Sequence, residues 1–140
     1  MSDFEQLIEN NLAALRAGKA IQVQCHNWNG IVANAAWDAV LEPSLWRELQ
    51  ELQTMGSPVL LFADERQLVQ YISAYDLTDT EKLEAGEWLE MDGLLGIAEQ
   101  WLGNGQSAQV SLVQDQHLFA LIKRFRAPLV GFRQAVLPDH

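Results

Sequence analysis

The only cysteine of the chain, Cys25, stands beside His26, one of three histidines, in the stretch IQVQCHNWNG. A thiol and an imidazole can act as nucleophile and base, or serve as two ligands of one metal. Either chemistry needs the side chains to converge. Residues 20–26 alternate instead, with Ile21, Val23 and Cys25 on one side and Gln22, Gln24 and His26 on the other. That is the pattern of a strand, whose neighbouring side chains point to opposite faces. The pair therefore diverges, Cys25 reads as a small buried hydrophobe, and no catalytic residue is assigned to it.

Asp64 is the strongest enzymatic position. It follows the apolar run Val59-Leu60-Leu61-Phe62-Ala63 and opens a helix, and ligands of α/β sheets bind at the carboxyl ends of such strands. Gln67 stands at the capping-box position, so the same aspartate also reads as a helix N-cap. Glu90 and Asp92 share a face if 87–92 is extended, but two carboxylates are too few for a Mg²⁺ or Ca²⁺ site. The histidines are scattered, with His117 on a helix flank and His140 at the last position, and they show no zinc spacing. Gly93-Leu-Leu-Gly96 and Gly103-Asn-Gly105 match neither a dinucleotide fingerprint nor a P-loop, and no G-x-S-x-G occurs. No metal and no cofactor are expected.

Charge is the most conspicuous property. The formal net charge is −10, which argues against a nucleic-acid partner because phosphate contacts need a basic face. Between Asp76 and Glu99 eight acids face Lys82 alone, a net of −7, whereas residues 116–137 carry +4 and no acid. An acidic surface of this kind steers a basic partner. The basic run Lys123-Arg124-Phe125-Arg126 fits the last turn of a helix, where cations complement the helix dipole.

The elements that position these residues follow from periodicity. Phe4, Leu7, Ile8, Leu12 and Leu15 predict a helix over 3–17, capped by Ser2 and Glu5 and stopped by Gly18. Asn11 falls inside that stripe, which predicts a buried amide with a partner or the edge of an interface. Asn29-Gly30 predicts a turn before a strand at Ile31-Val32-Ala33. Pro43 starts a helix with Leu45, Leu49 and Leu52 on its inner face. The run at 59–63 is a central strand, followed by a helix from Asp64 with Leu68, Tyr71, Ile72 and Tyr75 inward. Thr78 and Glu81 cap a further short helix, residues 87–91 form a strand, and Asp92 caps a helix with Leu94, Ile97, Ala98 and Trp101 on one face. A strand at 108–112, a helix capped by Asp115 and a strand over 129–136 complete the chain. Trp28, Trp37 and Trp46 recur every nine residues without matching flanks, so core packing accounts for them better than a repeat does.

The expected fold is a single globular domain over 1–140, α+β or mixed-sheet α/β, with helices packed on a mixed sheet of about five strands. A single cysteine, an acidic N-terminus unlike a signal peptide, and no apolar run near membrane length predict a cytoplasmic location. The functional expectation is a non-enzymatic, acidic protein-interaction module, of the inhibitor, immunity or dedicated-chaperone kind, binding a basic protein. Asp79, Glu81, Glu84, Glu87, Trp88 and Glu90 form its partner surface, with Trp88 as anchor. Two alternatives stand beside it. One is a small enzyme or ligand-binding domain with a pocket near Asp64, and the other is a homo-oligomeric structural subunit.

Overall fold

Runs of alternating or wholly apolar residues pair here into one six-stranded mixed sheet, in the order β1-β2-β6-β3-β5-β4. The computed structural model describes residues 3–24, 29–72 and 87–133. The strands are β1 (Ile21–Gln24), β2 (Asn29–Asn34), β3 (Val59–Phe62), β4 (Trp88–Met91), β5 (Ala108–Leu112) and β6 (Leu129–Arg133). Only β3 and β5 pair in parallel, and β6 joins β3 to β2 in antiparallel fashion. The α+β expectation is met, with six strands in place of about five.

Strand alternation divides the core in two. Ile31, Ala33, Leu60, Phe62, Val110, Val130 and Phe132 face one side, whereas Ile21, Val23, Val32, Val59, Leu61 and Leu129 face the other. Helices α1 (Asp3–Arg16) and α4 (Gln116–Phe125) cover the second face with Ile8, Leu12, Leu15, Leu118, Leu121 and Ile122. Helix α2 (Pro43–Met55) lies on the first through Leu45 and Leu49. Among the described residues no helix is long and apolar enough to cross a membrane.

Three expectations need correction. Asn29 and Gly30 are already paired in β2, opposite Gln24 and Val23, so the chain reverses before them. The helix from Asp64 is only one turn, α3 (Glu65–Leu68), followed by a 3-10 turn at Val69–Tyr71. Ile72 is then drawn into a bridge with Leu94, which an extended backbone permits and a continuing helix would not. Residues 92–107 form no α-helix, although Leu94, Ile97 and Trp101 are buried as a helical face would bury them. Gly93 and Gly96 sit at φ 69° and 73°, in the left-handed region that interrupts a right-handed helix. The helix placed at Thr78 and Glu81 lies outside the described residues.

Without a helix, the 92–107 segment satisfies its backbone through its neighbours. The Leu95 N–H donates to the Tyr71 carbonyl (2.7 Å), Ala98 to Ala35 (3.0 Å), and Trp37 to the carbonyl of Gly96 (3.0 Å). Gly93, Leu94 and Gly103 bond to Gly105, Gln106 and Ser107, closing a small double-stranded loop. Buried backbone groups without such partners would each cost about 1–3 kcal/mol, so these bonds are what permits an irregular segment to sit on the core.

Asn11 finds the partner that its place in the stripe demanded, with its Nδ2 3.0 Å from His117 Nε2 on α4. The other ring nitrogen, Nδ1, is buried with no partner among the described residues, and the Phe4 ring meets the imidazole edge-on at 5.8 Å. Burial pushes His117 below the usual histidine range, against the opposing pull of Asp115. The folded state thus prefers the neutral ring. Its contribution is complete above the ordinary value of about 6.5 and declines as pH falls below it. Urea unfolding between pH 7.5 and 5.5 should show stability falling on acidification, and His117→Gln should flatten that dependence. An unchanged slope in the variant would remove His117 as its cause.

Candidate binding cleft

The functional geometry lies on the α2 face of the sheet, where three aromatic side chains from separate elements meet. Trp46 of α2 stacks on Trp101 with ring centres 5.4 Å apart and planes 16° from parallel. Trp101 in turn meets Phe132 of β6 edge-to-face at 5.6 Å and 76°. Trp101 is only 3% exposed, and its indole Nε1 has no hydrogen-bond partner among the described residues. Indole N–H groups normally find an acceptor when buried.

Two cavities flank this stack, with Leu102 lining both. The polar lobe, about 370 Å³, lies at the amino ends of β3 and β5 and is lined by Ser57, Glu90, Trp101, Ser107 and Gln109. The aromatic lobe, about 470 Å³, is lined by Trp37, Trp46, Leu95, Glu99 and Gln106. Gln53 of the polar lobe and Gln100 of the aromatic lobe bond reciprocally: Gln53 Nε2 donates to the Gln100 carbonyl at 2.8 Å, and Gln100 Nε2 to Gln53 Oε1 at 3.0 Å. This clasp ties α2 to the 92–107 segment. Among the described residues each lobe has one ionisable lining residue, Glu90 or Glu99, and both are carboxylates.

The residues singled out in the sequence are dispersed. Asp64 stands at the carboxyl end of β3, the opposite end from the polar lobe, and lines neither cavity. Its Oδ1 accepts from the Gln67 N–H at 2.9 Å, while Gln67 Oε1 accepts from the Ala63 N–H at 2.7 Å. Lys123 of α4 reaches its other oxygen at 2.7 Å. That ammonium, aided by the Gln67 N–H, holds the carboxyl below the usual carboxylate range. Glu87 is exposed, and Trp88 is half-buried with the Arg133 guanidinium 3.8 Å over its ring. Of the two described members of the acidic set, Glu90 lines a cavity. Asp79, Glu81, Glu84, Cys25, His26 and Trp28 lie outside the described residues. Among those described, no three His, Cys, Asp or Glu side chains converge as a metal site would require.

Sequence reasoning passed over Trp37, Trp46 and Trp101 as core residues. Trp37 is 73% exposed, which no periodicity shows, and the Trp46–Trp101 contact joins residues far apart in the chain. The one available cue was the abundance of tryptophan, five in 140 residues.

Neither a protein-family model nor a curated protein sequence matches this chain. Solved structures do. P. abyssi Sua5 complexed with L-threonine matches at TM-score 0.70 and 16% identity, over 91% of this chain and 38% of that one. An alanine variant of the same protein gives 0.71 and 15% with the same coverage, and E. coli YciO gives 0.72 and 11% over 91% and 63%. The chain has the Sua5 and YciO fold. It spans well under half the length of Sua5. This likeness overturns the expectation of an acidic inhibitor, immunity-type protein or chaperone engaging a basic protein. The exclusion of nucleic acid falls with it. A net charge sums the whole chain, including acids already compensated locally, such as Asp64 by Lys123 and Glu5 by a two-pronged Arg124 pair at 2.9 and 3.1 Å. It therefore does not describe any particular face.

The geometry at Asp64 yields a stability test. Asp64→Ala loses the cap and should cost about 1 kcal/mol, whereas Asp64→Asn keeps the cap and loses only a partly exposed ion pair worth well under that. Because the folded carboxyl titrates low, its contribution is complete above about pH 3.9 and is lost as pH falls through the lowered value. Chemical denaturation of the three proteins at neutral pH and near pH 3 checks this; equal losses for Ala and Asn would contradict the capping role.

Proposed function

We propose that this chain is a small-molecule-binding domain whose ligand occupies the polar lobe beside Trp101. The observation that carries the reading is a cavity that groups the hydroxyls of Ser57 and Ser107, the amides of Gln53 and Gln109 and the Glu90 carboxylate beside Trp101, whose buried indole Nε1 has no acceptor among the described residues. A ligand acceptor placed there would satisfy a group whose burial otherwise costs about 1–3 kcal/mol. The L-threonine complex of P. abyssi Sua5 supports an amino acid as the first ligand to test. Its ammonium would pair with Glu90, its carboxylate would accept from Trp101 Nε1, and its hydroxyl would meet Ser107 or Gln109. The single cysteine favours a reducing, cytoplasmic setting for this activity.

Calorimetric titration tests the reading directly. L-threonine should bind more tightly than glycine, and Glu90→Gln should weaken it about tenfold or more, the usual worth of a charge-assisted hydrogen bond. Trp101→Phe, which keeps the stack and removes the donor, should weaken it as well. No heat with L-threonine or other amino acids at millimolar concentration would overturn the assignment.

A further inference from the structure

The aromatic lobe carries a second inference, independent of what occupies the polar one. Its walls combine two indoles, the exposed Trp37 and the half-buried Trp46, with the carboxylate of Glu99. Among the described residues no lysine, arginine or histidine lines it. The Tyr71 ring lies against Gly96 in the lobe's wall, and burial, with a smaller contribution from the Asp38 carboxylate, raises its phenol above the ordinary range. Trp46 stacks on Trp101, packs against the core of this face and also lines the cavity. Trp37 is anchored by its backbone, through its N–H to the Gly96 carbonyl and through the Ala36–Ile97 bridge, while its side chain stays 73% exposed. Large exposed apolar side chains continue around it at Val40 and Leu95.

Indole faces are negative and attract cations, most of all where no protein cation competes and a carboxylate stands near. An anionic or phosphate-bearing ligand finds no donor cation here, and a purely apolar one gains nothing from Glu99. We propose that the aromatic lobe binds a small alkylated ammonium, with the methylated nitrogen over Trp37 and Trp46 and its charge balanced by Glu99. The lobe's volume, about 470 Å³, accommodates a ligand of choline size.

The test compares choline with its neutral isostere, 3,3-dimethylbutan-1-ol, by NMR titration of the full chain. Choline should bind with a Kd of about 1 mM or tighter, and the isostere about fivefold or more weakly, since only the cation gains from the ring quadrupoles. Trp37→Leu retains apolar surface at an exposed position and so should leave folding intact. It should weaken choline about fivefold while leaving the isostere unchanged. Glu99→Gln should act in the same direction, and the effect of added salt on choline binding should shrink in that variant. Equal affinities for choline and the isostere, equal losses in Trp37→Leu, or no binding of choline would each overturn the proposal. Because Trp37 and Glu99 do not line the polar lobe, these variants leave amino-acid binding as a separate readout.

Discussion

The stack of Trp46, Trp101 and Phe132 is the contact on which the cleft depends. It joins helix α2, the irregular 92–107 segment and strand β6, three pieces with no shared secondary structure. Each aromatic pair is worth about 0.5–1.5 kcal/mol beyond the area it buries. The more important consequence is positional. A segment without helical or sheet bonds along most of its length is held in register by one large buried ring and by backbone bonds to Ala35, Trp37, Tyr71 and its own loop. Both cavities border that ring system, so their shapes are set by the same contact.

The sheet assigns different duties to its two faces. On one, α1 and α4 seal the core with regular helical stripes and tie themselves together by Asn11–His117 and Glu5–Arg124. On the other, α2 covers part of the sheet and a glycine-broken segment covers the rest. Irregular covering leaves concavities that two packed helices would fill. Ligand-sized space therefore appears on the α2 face and at the amino ends of β3 and β5, away from Asp64.

Much of this architecture was legible in the residues. The apolar run at 59–63, the alternation at 108–112 and the stripes of α1, α2 and α4 all follow from short-range periodicity, and Asp64 and Asp115 cap helices as their sequences imply. The misreading at 92–107 has a specific cause. Leu94, Ile97 and Trp101 are spaced as a helix would space them, and burial was correctly inferred, but Gly93 and Gly96 permit left-handed backbone that periodicity cannot register. The cleft was illegible for another reason. Its walls come from residues 37, 46, 53, 57–58, 90, 94–103 and 106–109, and only tertiary contact unites them. Net charge misled for a related reason, since it sums acids that are paired with cations and acids that line a cavity alike.

In the proposed complex the ligand supplies the acceptor that the indole N–H of Trp101 lacks among the described residues. The most direct measurement is a two-dimensional ¹H–¹⁵N spectrum of the uniformly labelled chain during titration with L-threonine, with the Trp101 indole resonance assigned through Trp101→Phe. Formation of a new hydrogen bond should move that resonance downfield in a saturable manner while the Trp37 indole, which lines the aromatic lobe and not the polar one, stays in place. A Trp101 indole that does not move as other resonances saturate would contradict the claim.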